Sequence, residues 1–192
     1  MRNDETLNIL TSGQIFDYAD SHHYGYQPTP CNVLDKIVKN GFITKDNIVV
    51  DYGCGKGRVA FYLNDTVGCA VTGVEYAEPI YRMAEDNLDR YGRDRGVRFI
   101  NIPAEDYNPV GADTFYFFNP FSVETVQKVL DKVLSTPTAK RIVFYYLLPH
   151  IEKLLRNTPR LNVVYEEDCR LNEKDYPPWN KLMVFDITKE IK

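Results

Sequence analysis

The sequence predicts a doubly wound α/β domain with a mostly parallel, seven-stranded sheet, an antiparallel last strand and helices on both faces. From residue 29 onward, short apolar runs alternate with segments that carry apolar residues at helical spacing. The runs are continuously apolar, as in TFYFF at residues 114–118, which is typical of parallel strands covered on both faces. The last two strands are joined by the turn-rich NEKDYPPWN and no helix, which predicts an antiparallel pair at one edge.

Two segments precede the sheet. Residues 5–20 form a first amphipathic segment. In the second, we expect Thr29 to cap and Pro30 to open a helix that ends at Gly41. This helix carries Val33, Leu34, Ile37 and Val38 on one face.

The remaining elements follow in alternation up to the final strand pair. Helices are expected at residues 57–63, 78–91, 122–134 and 150–156, with apolar residues at helical spacing in the longer two. Strands are expected at residues 48–51, 70–74, 97–101, 114–118, 141–147, 161–166 and 182–187.

Length and composition exclude several classes of protein. The 192 residues fit one ordinary domain, and 44% of them are hydrophobic. The net charge of −4 gives no global attraction to nucleic acid. No run is apolar enough to span a membrane and the start MRNDETLNIL lacks a signal-peptide pattern, so we expect a cytoplasmic protein. The four cysteines and three histidines form no ligand cluster, so we expect reduced thiols and no metal.

The stretch DYGCGKGR at residues 51–58 follows a buried strand and carries three glycines, Gly53, Gly55 and Gly57. In a doubly wound sheet, this first strand-to-helix turn is where a ligand approaches the backbone closely. The spacing differs from G-x-G-x-x-G, because the third glycine comes two positions after the second and residue 58 is Arg. A dinucleotide pyrophosphate is therefore disfavoured.

Two acidic residues narrow the choice of ligand. Asp51 lies at the strand tip before the glycines, where a carboxylate repels a diphosphate and attracts an ammonium group. Glu75, in GVEYA, lies at the tip of the next strand, where an acidic residue accepts both hydroxyls of a ribose. A ligand with an amino-acid end and a ribose is S-adenosylmethionine.

VVDYGCGKGR and GVEYA resemble the first motif and the acidic ribose motif of class I, seven-strand S-adenosylmethionine-dependent methyltransferases, over roughly residues 29–187. The resemblance implies a methyltransferase whose sheet ends in an antiparallel hairpin. It also implies that residues 1–28 form a helical lid segment in front of the domain at residues 29–192, with Tyr24, Tyr26 and Thr29 closing over the methionine end or simply packing on the sheet. The implied cofactor-binding residues are Asp51, Gly53, Cys54, Gly55, Gly57, Glu75, Tyr76, Ala104, Glu105 and Asn119.

The adenine end departs from the family pattern. Members commonly carry an acidic residue after the third strand that contacts the adenine amino group, and here Pro103 stands at that position. Glu105 or Asp106 can substitute for it, and the backbone amide of Ala104 can also serve the ring. The alternative for both acidic side chains is a solvated helix start.

Asn119, Pro120 and Phe121 follow the fourth strand and resemble a shortened [N/D]-P-P-[Y/F/W] motif of amino-group methyltransferases. The resemblance implies that Asn119 accepts a hydrogen bond from the acceptor nitrogen and that Phe121 walls the site. The alternative is that Asn-Pro only ends the strand before a helix capped by Ser122. With YGYQPTP and GCGKGR, this motif is also distantly similar to seven-strand protein-lysine methyltransferases, although nothing in the sequence names the acceptor or the oligomeric state.

The sequence also leaves alternatives for two basic residues, for one cysteine and for the function. Lys56 and Arg58 are expected to be surface or capping residues, with a contact between Arg58 and the cofactor carboxylate as the alternative. A cysteine nucleophile at Cys54 is disfavoured because no histidine is placed beside it. The competing functions are a cofactor-binding regulatory module that lacks transfer activity and a nucleotide-dependent oxidoreductase, against which the glycine spacing argues.

Overall fold

A computed structural model describes residues 3–17, 25–92, 96–118, 121–170 and 179–189. Its helices are α1 (Asp4–Leu7), α2 (Cys31–Lys39), α3 (Arg58–Val67), α4 (Glu78–Tyr91), α5 (Val123–Ser135) and α6 (Pro149–Asn157). Its strands are β1 (Ile48–Tyr52), β2 (Ala70–Glu75), β3 (Val97–Asn101), β4 (Thr114–Phe118), β5 (Arg141–Tyr145), β6 (Leu161–Asp168) and β7 (Lys181–Ile187).

The described strands form one seven-stranded sheet in the order β3-β2-β1-β4-β5-β7-β6. The first five strands in this order are parallel, and β7 pairs antiparallel with both β5 and β6. The strand order switches between β1 and β4, because β2 and β3 follow on one side of β1 and β4 and β5 on the other. Doubly wound sheets bind ligands at such a switch point. The sequence-based prediction of the fold class is confirmed.

Two apolar cores cover the two faces of the sheet. Helices α2, α3 and α4 pack on one face around buried residues such as Leu34, Phe61 and Leu88. Helices α5 and α6 pack on the other around residues such as Val129 and Ile151. Because both faces are covered, the central strands are continuously apolar, which is the pattern from which the parallel sheet was predicted.

Several boundaries differ from the sequence-based expectations by one or more residues. Pro30, rather than Thr29, is the N-cap of α2, because the Thr29 hydroxyl bonds to the Tyr116 hydroxyl instead. Gly57 precedes α3 as a cap with a φ of 88°, and α3 runs on to Val67. Strand β5 ends two residues early because Tyr146 adopts a φ of 58°, which extended chain does not permit.

The N-terminal segment is less helical than predicted. In its described part the helix covers only Asp4–Leu7, and Ile15 then pairs with Tyr26 in an isolated antiparallel bridge. The helix ends because Asn8 adopts a left-handed conformation with a φ of 55°. Tyr24 lies outside the described residues. The division of the chain at residue 28 and the closure of a lid stay predictions.

Candidate cofactor and active site

The glycine turn connects β1 to α3 at the carboxyl edge of the sheet. The amides of Gly53 and Cys54 both donate to the carbonyl of Val74, at 2.9 and 3.1 Å, which fixes the turn against β2. Gly55 has a φ of 56°, and a Cβ there would lie 2.1 Å from the Tyr26 ring. A side chain at Gly55 is therefore excluded both by the backbone conformation and by the space.

The Asp51 side chain is the chemically most unusual group of the site. Asp51 pairs with Gly73 of β2 and Tyr116 of β4, is 2% exposed, and its Oδ2 is buried without a hydrogen-bond partner among the described residues. Burial, with a further contribution from Glu75, raises the pKa of its carboxyl to about 8. A buried carboxylate of this kind calls for a cationic partner, so the residue fits the ammonium group of an amino acid.

Glu75 ends β2 one strand away from Asp51. Its Oε2 accepts the Gly55 amide at 3.0 Å, and its Oε1 accepts the Ala77 amide at 2.8 Å. These two bonds fix the orientation of the carboxylate at the tip of β2. The side chain is half-buried, so a ligand can reach it.

Asn101, which the sequence analysis missed, braces the turn that carries Glu75. It lies opposite Glu75 in the β2–β3 register, and its Nδ2 donates to the carbonyls of Glu75 at 2.8 Å and Tyr76 at 2.9 Å. Tyr76 itself is 45% exposed beside this turn. An asparagine at the end of a strand gave no distinctive sequence signal, because its role depends on the pairing of β3 with β2.

The segment after β3 separates the two acidic candidates for the adenine end. Glu105 Oε2 is buried without a hydrogen-bond partner among the described residues. Asp106, by contrast, is exposed. Ala104 is buried between Pro103 and Glu105, and its carbonyl accepts the Tyr107 amide. Of the two acidic candidates, Glu105, two positions after Pro103, is therefore the one with an unmet acceptor among the described residues.

The acceptor side is only partly described. Asn119 and Pro120 lie outside the described residues. Phe121 is buried in the core beneath α5 and α6. Phe118, the last residue of β4, is half-buried and packs against the rings of Tyr145 at 4.8 Å and Tyr146 at 5.7 Å between centroids. The roles predicted for residues 119–121 stay predictions, and Phe118 and Tyr146 are additional aromatic candidates.

A small pocket with a cavity volume of about 20 Å³ runs from Asp51 to Phe118. Its walls come from the glycine turn, β4 and the chain before α2, and its lining residues are Tyr26, Gln27, Pro28, Thr29, Asp51, Gly53, Cys54, Arg58, Val59, Tyr116 and Phe118. Tyr116 contributes a buried hydroxyl that is bonded to Thr29 at 2.9 Å. The pocket thus extends from the Asp51 carboxylate to Phe118 on the predicted acceptor side.

The prediction that Lys56 and Arg58 are surface or capping residues is wrong. Lys56 is buried, donates to the Ser12 carbonyl at 2.9 Å, and lies 4.9 Å above the Tyr26 ring. Arg58 forms an ion pair with Asp4 at 3.1 Å. The sequence gave no sign of these contacts because the partners lie 30 to 54 positions away.

The thiol of Cys54 has no features of a nucleophile. It is buried, its hydrogen bond goes to the Gly55 carbonyl, and burial raises its pKa well above the usual value. All four cysteines have free thiols. Across the described ranges no cluster of histidine, cysteine and carboxylate side chains is arranged to hold a metal ion. No helix there is long and apolar enough to cross a membrane.

Comparison with known proteins agrees with this geometry. Residues 49–136 match the model of a methyltransferase domain. A probable S-adenosylmethionine-dependent methyltransferase of Saccharomyces cerevisiae is 26% identical over 95 residues, which cover 49% of this chain and 32% of that protein. A histone-lysine N-methyltransferase of Dictyostelium discoideum is 39% identical over 51 residues, which cover 27% of this chain and 3% of that protein. The chain thus spans about a third or less of these curated relatives.

Among solved structures, an RNA methyltransferase from Salinibacter ruber in complex with S-adenosyl-L-homocysteine superposes with a TM-score of 0.65. It is 18% identical, and the match covers 86% of this chain and 97% of that one, so the likeness establishes the fold. The sheet order, the position of the glycine turn and the match of residues 49–136 to a methyltransferase domain agree: the chain has the Rossmann-like, seven-strand fold of S-adenosylmethionine-dependent methyltransferases.

Proposed function

We propose that this chain binds S-adenosylmethionine and transfers its methyl group to an amine or amide nitrogen. The observation that carries the proposal is the buried, unpartnered carboxylate oxygen of Asp51 in the pocket beside the glycine turn. A fold retains such a group at a cost in stability, and the ammonium of an amino-acid ligand is the partner that offsets this cost.

The described residues fit the other parts of the same ligand. Glu75 is held by the Gly55 and Ala77 amides at the tip of β2, where an acidic residue accepts the hydroxyls of a ribose. Gly55 allows the Tyr26 ring of the pocket wall to pack directly against the turn, because a Cβ there would lie 2.1 Å from the ring. Glu105 offers a buried carboxylate oxygen to an exocyclic amino group such as that of adenine. The amino acid, the ribose and the base thus each have a candidate partner.

S-adenosylmethionine, when bound, supplies a methyl group on a sulfonium that is already a good leaving group. The protein therefore has to hold the acceptor in line with the methyl carbon and keep water away from it. Phe118 and Tyr116 supply a largely apolar wall on the acceptor side of the pocket. Asn119 would accept a hydrogen bond from the acceptor nitrogen and so direct its lone pair toward the methyl carbon.

The choice of nitrogen rests on two lines of support. The sequence Asn119-Pro120-Phe121 resembles the motif of amino-group methyltransferases, and a quarter of the chain is similar to a histone-lysine N-methyltransferase. An Asn side chain also suits a nitrogen acceptor, because its amide oxygen accepts from N–H without removing the proton fully. Oxygen acceptors usually need a general base, and none of the described residues lining the pocket is a histidine.

Binding is tested first. We expect isothermal titration calorimetry to detect S-adenosylhomocysteine binding, because this product keeps the amino acid, ribose and base. The absence of binding at millimolar product would refute the proposal at its first step.

Transfer is tested with methyl-tritiated S-adenosylmethionine and fractionated cell lysate. Asn119→Ala should keep the affinity for S-adenosylhomocysteine and lower turnover, whereas Asn162→Ala, an exposed change on β6, should alter neither. Label that resists mild alkaline hydrolysis is expected for an N-methyl product, whereas released tritiated methanol would indicate a methyl ester. Binding without transfer to any fraction would favour a cofactor-binding module.

A further inference from the structure

A buried threonine organises the segment in front of the domain. Thr11 has no exposed surface, and its amide and hydroxyl both donate to the Asp4 carboxylate, at 2.7 and 2.6 Å. The Ser12 hydroxyl donates to the same carboxylate at 2.9 Å. Burial by itself raises the pKa of Asp4, but these hydrogen bonds and the nearby charge of Arg58 outweigh it and hold the pKa below its usual value.

Arg58 joins this carboxylate to the glycine turn. It is the first residue of α3, directly after Gly57, and its Nε donates to the Thr11 hydroxyl at 2.6 Å. One terminal nitrogen donates to Asp4 at 3.1 Å and the other to the Thr29 carbonyl at 3.4 Å. The guanidinium charge is thus already paired, and its planar fork bridges two separate parts of the N-terminal chain.

Thr11 is linked to the wall of the pocket by a hydrogen bond from Tyr26. The Tyr26 hydroxyl donates to the Thr11 carbonyl at 2.5 Å, while its ring packs on the Gly55 turn under the Lys56 ammonium. Residues 26–29 line the pocket opposite Asp51. Any shift of Thr11 therefore moves the wall that faces the predicted amino-acid end of the ligand.

We propose that Arg58 is a positioning residue that, through Asp4 and Thr11, sets the wall at residues 26–29 against the amino-acid end of the cofactor. This inference rests on the proposed function. It replaces a direct contact between Arg58 and the cofactor carboxylate, because Asp4 neutralises the guanidinium and hydrogen bonds occupy all three of its nitrogens. Affinity for the amino-acid end then depends on Asp4, which does not line the pocket.

The test compares two probes by calorimetry: S-adenosylhomocysteine, and 5′-methylthioadenosine, which shares the nucleoside but lacks the amino-acid end. Arg58→Gln and Asp4→Asn should each weaken S-adenosylhomocysteine by about tenfold, the double variant should lose no more than either, and methylthioadenosine should bind unchanged. Glu78→Gln and Arg82→Gln break an exposed ion pair on α4 and serve as charge-matched controls with no expected effect.

Several outcomes would overturn the inference. A loss with Arg58→Gln but not with Asp4→Asn would mean that Arg58 contacts the ligand directly. Equal losses for both probes would mean that the variants only loosen the fold. Tyr26→Phe removes a single hydroxyl with little risk to folding, and it should also weaken S-adenosylhomocysteine selectively. Failure of the unmodified protein to bind S-adenosylhomocysteine would instead refute the proposed function, so the two failures are distinguishable.

Discussion

Replacing Asp51 with Asn should stabilise the ligand-free protein increasingly as the pH rises. The carboxyl is buried and one of its oxygens lacks a partner, and burial followed by the charge of Glu75 raises its pKa from 3.8 to about 8. A raised pKa means that the folded state holds the proton more tightly than the unfolded state does. Ionisation of Asp51 therefore opposes folding above pH 4, and the penalty grows until the pH passes the folded pKa.

The size of the effect follows from the shift. Each pKa unit corresponds to about 1.4 kcal/mol, so the shift amounts to a penalty on the order of 5 kcal/mol once Asp51 is ionised in both states. By the same linkage the penalty grows by about 3.5 kcal/mol between pH 5 and pH 8. An Asn side chain carries no such penalty, although its own unmet hydrogen bonds add a cost that does not vary with pH.

The assay is thermal or urea unfolding of the wild type and Asp51→Asn at pH 5, 6, 7 and 8 without ligand. The difference in Tm should widen by about 7–14 °C over this range, at roughly 2–4 °C per kcal/mol for a chain of this size. Asp168→Asn is the control, because hydrogen bonds from Arg170 lower the pKa of Asp168 to about 2, below the window. A difference between wild type and Asp51→Asn that stays constant from pH 5 to pH 8 would refute the assignment of a buried, uncompensated carboxylate.

Three further predictions concern the ligand and the turn. The affinity for S-adenosylhomocysteine should rise by up to tenfold per pH unit from pH 6 to 8. The reason is that pairing with an ammonium lowers the pKa of Asp51, so that binding releases a proton. Calorimetry on Asp51→Asn should show an affinity that does not vary with pH. Glu75→Ala should weaken the same ligand by about 1–3 kcal/mol, and an unchanged Kd in the folded variant would exclude Glu75 as the ribose acceptor. Gly55→Ala should cost more stability in urea unfolding than Gly41→Ala, because both need a positive φ but only Gly55 meets a ring, so equal losses would contradict the close contact.

Much of the fold could be predicted because its signals are local. Helix α4 and strands β3 and β4 have the predicted boundaries, since each is defined by apolar residues at one regular spacing. The antiparallel edge was predictable because a Pro-rich loop without a helix leaves only a hairpin connection. Asp51 and Glu75 were found in the same way, because a parallel sheet brings the ends of its strands to one edge.

The contacts of the N-terminal chain with the glycine turn were not predictable, because they join residues far apart in the sequence. The ion pair of Asp4 with Arg58 joins residues 54 positions apart, and a short polar segment carries no periodicity that says where it will pack. Arg58 was interpreted as a surface residue because arginines after a glycine turn are usually solvated. Likewise, Glu105 and Asp106 are equivalent in sequence, and only the burial of one carboxylate oxygen distinguishes them.

Asp51 has to stay out of water, whereas the N-terminal chain that shields it lies outside the sheet. Together these two facts explain why several hydrogen bonds and an ion pair hold the N-terminal chain in place. Asp51 contributes to binding only if its carboxylate stays out of water, because a solvated carboxylate attracts an ammonium weakly. The residues that shield it from the side of the N-terminal chain, 26–29, belong to no strand of the sheet, and only a small cluster of Tyr26 with Ala77 and Ile80 packs them. A partly buried ion pair such as that of Arg58 with Asp4 is a weak source of stability, but it fixes geometry, since both partners must meet to avoid an unpaired charge. The contact of Arg58 with Asp4 therefore fixes the position of residues 26–29, and this position determines how well Asp51 is shielded from water.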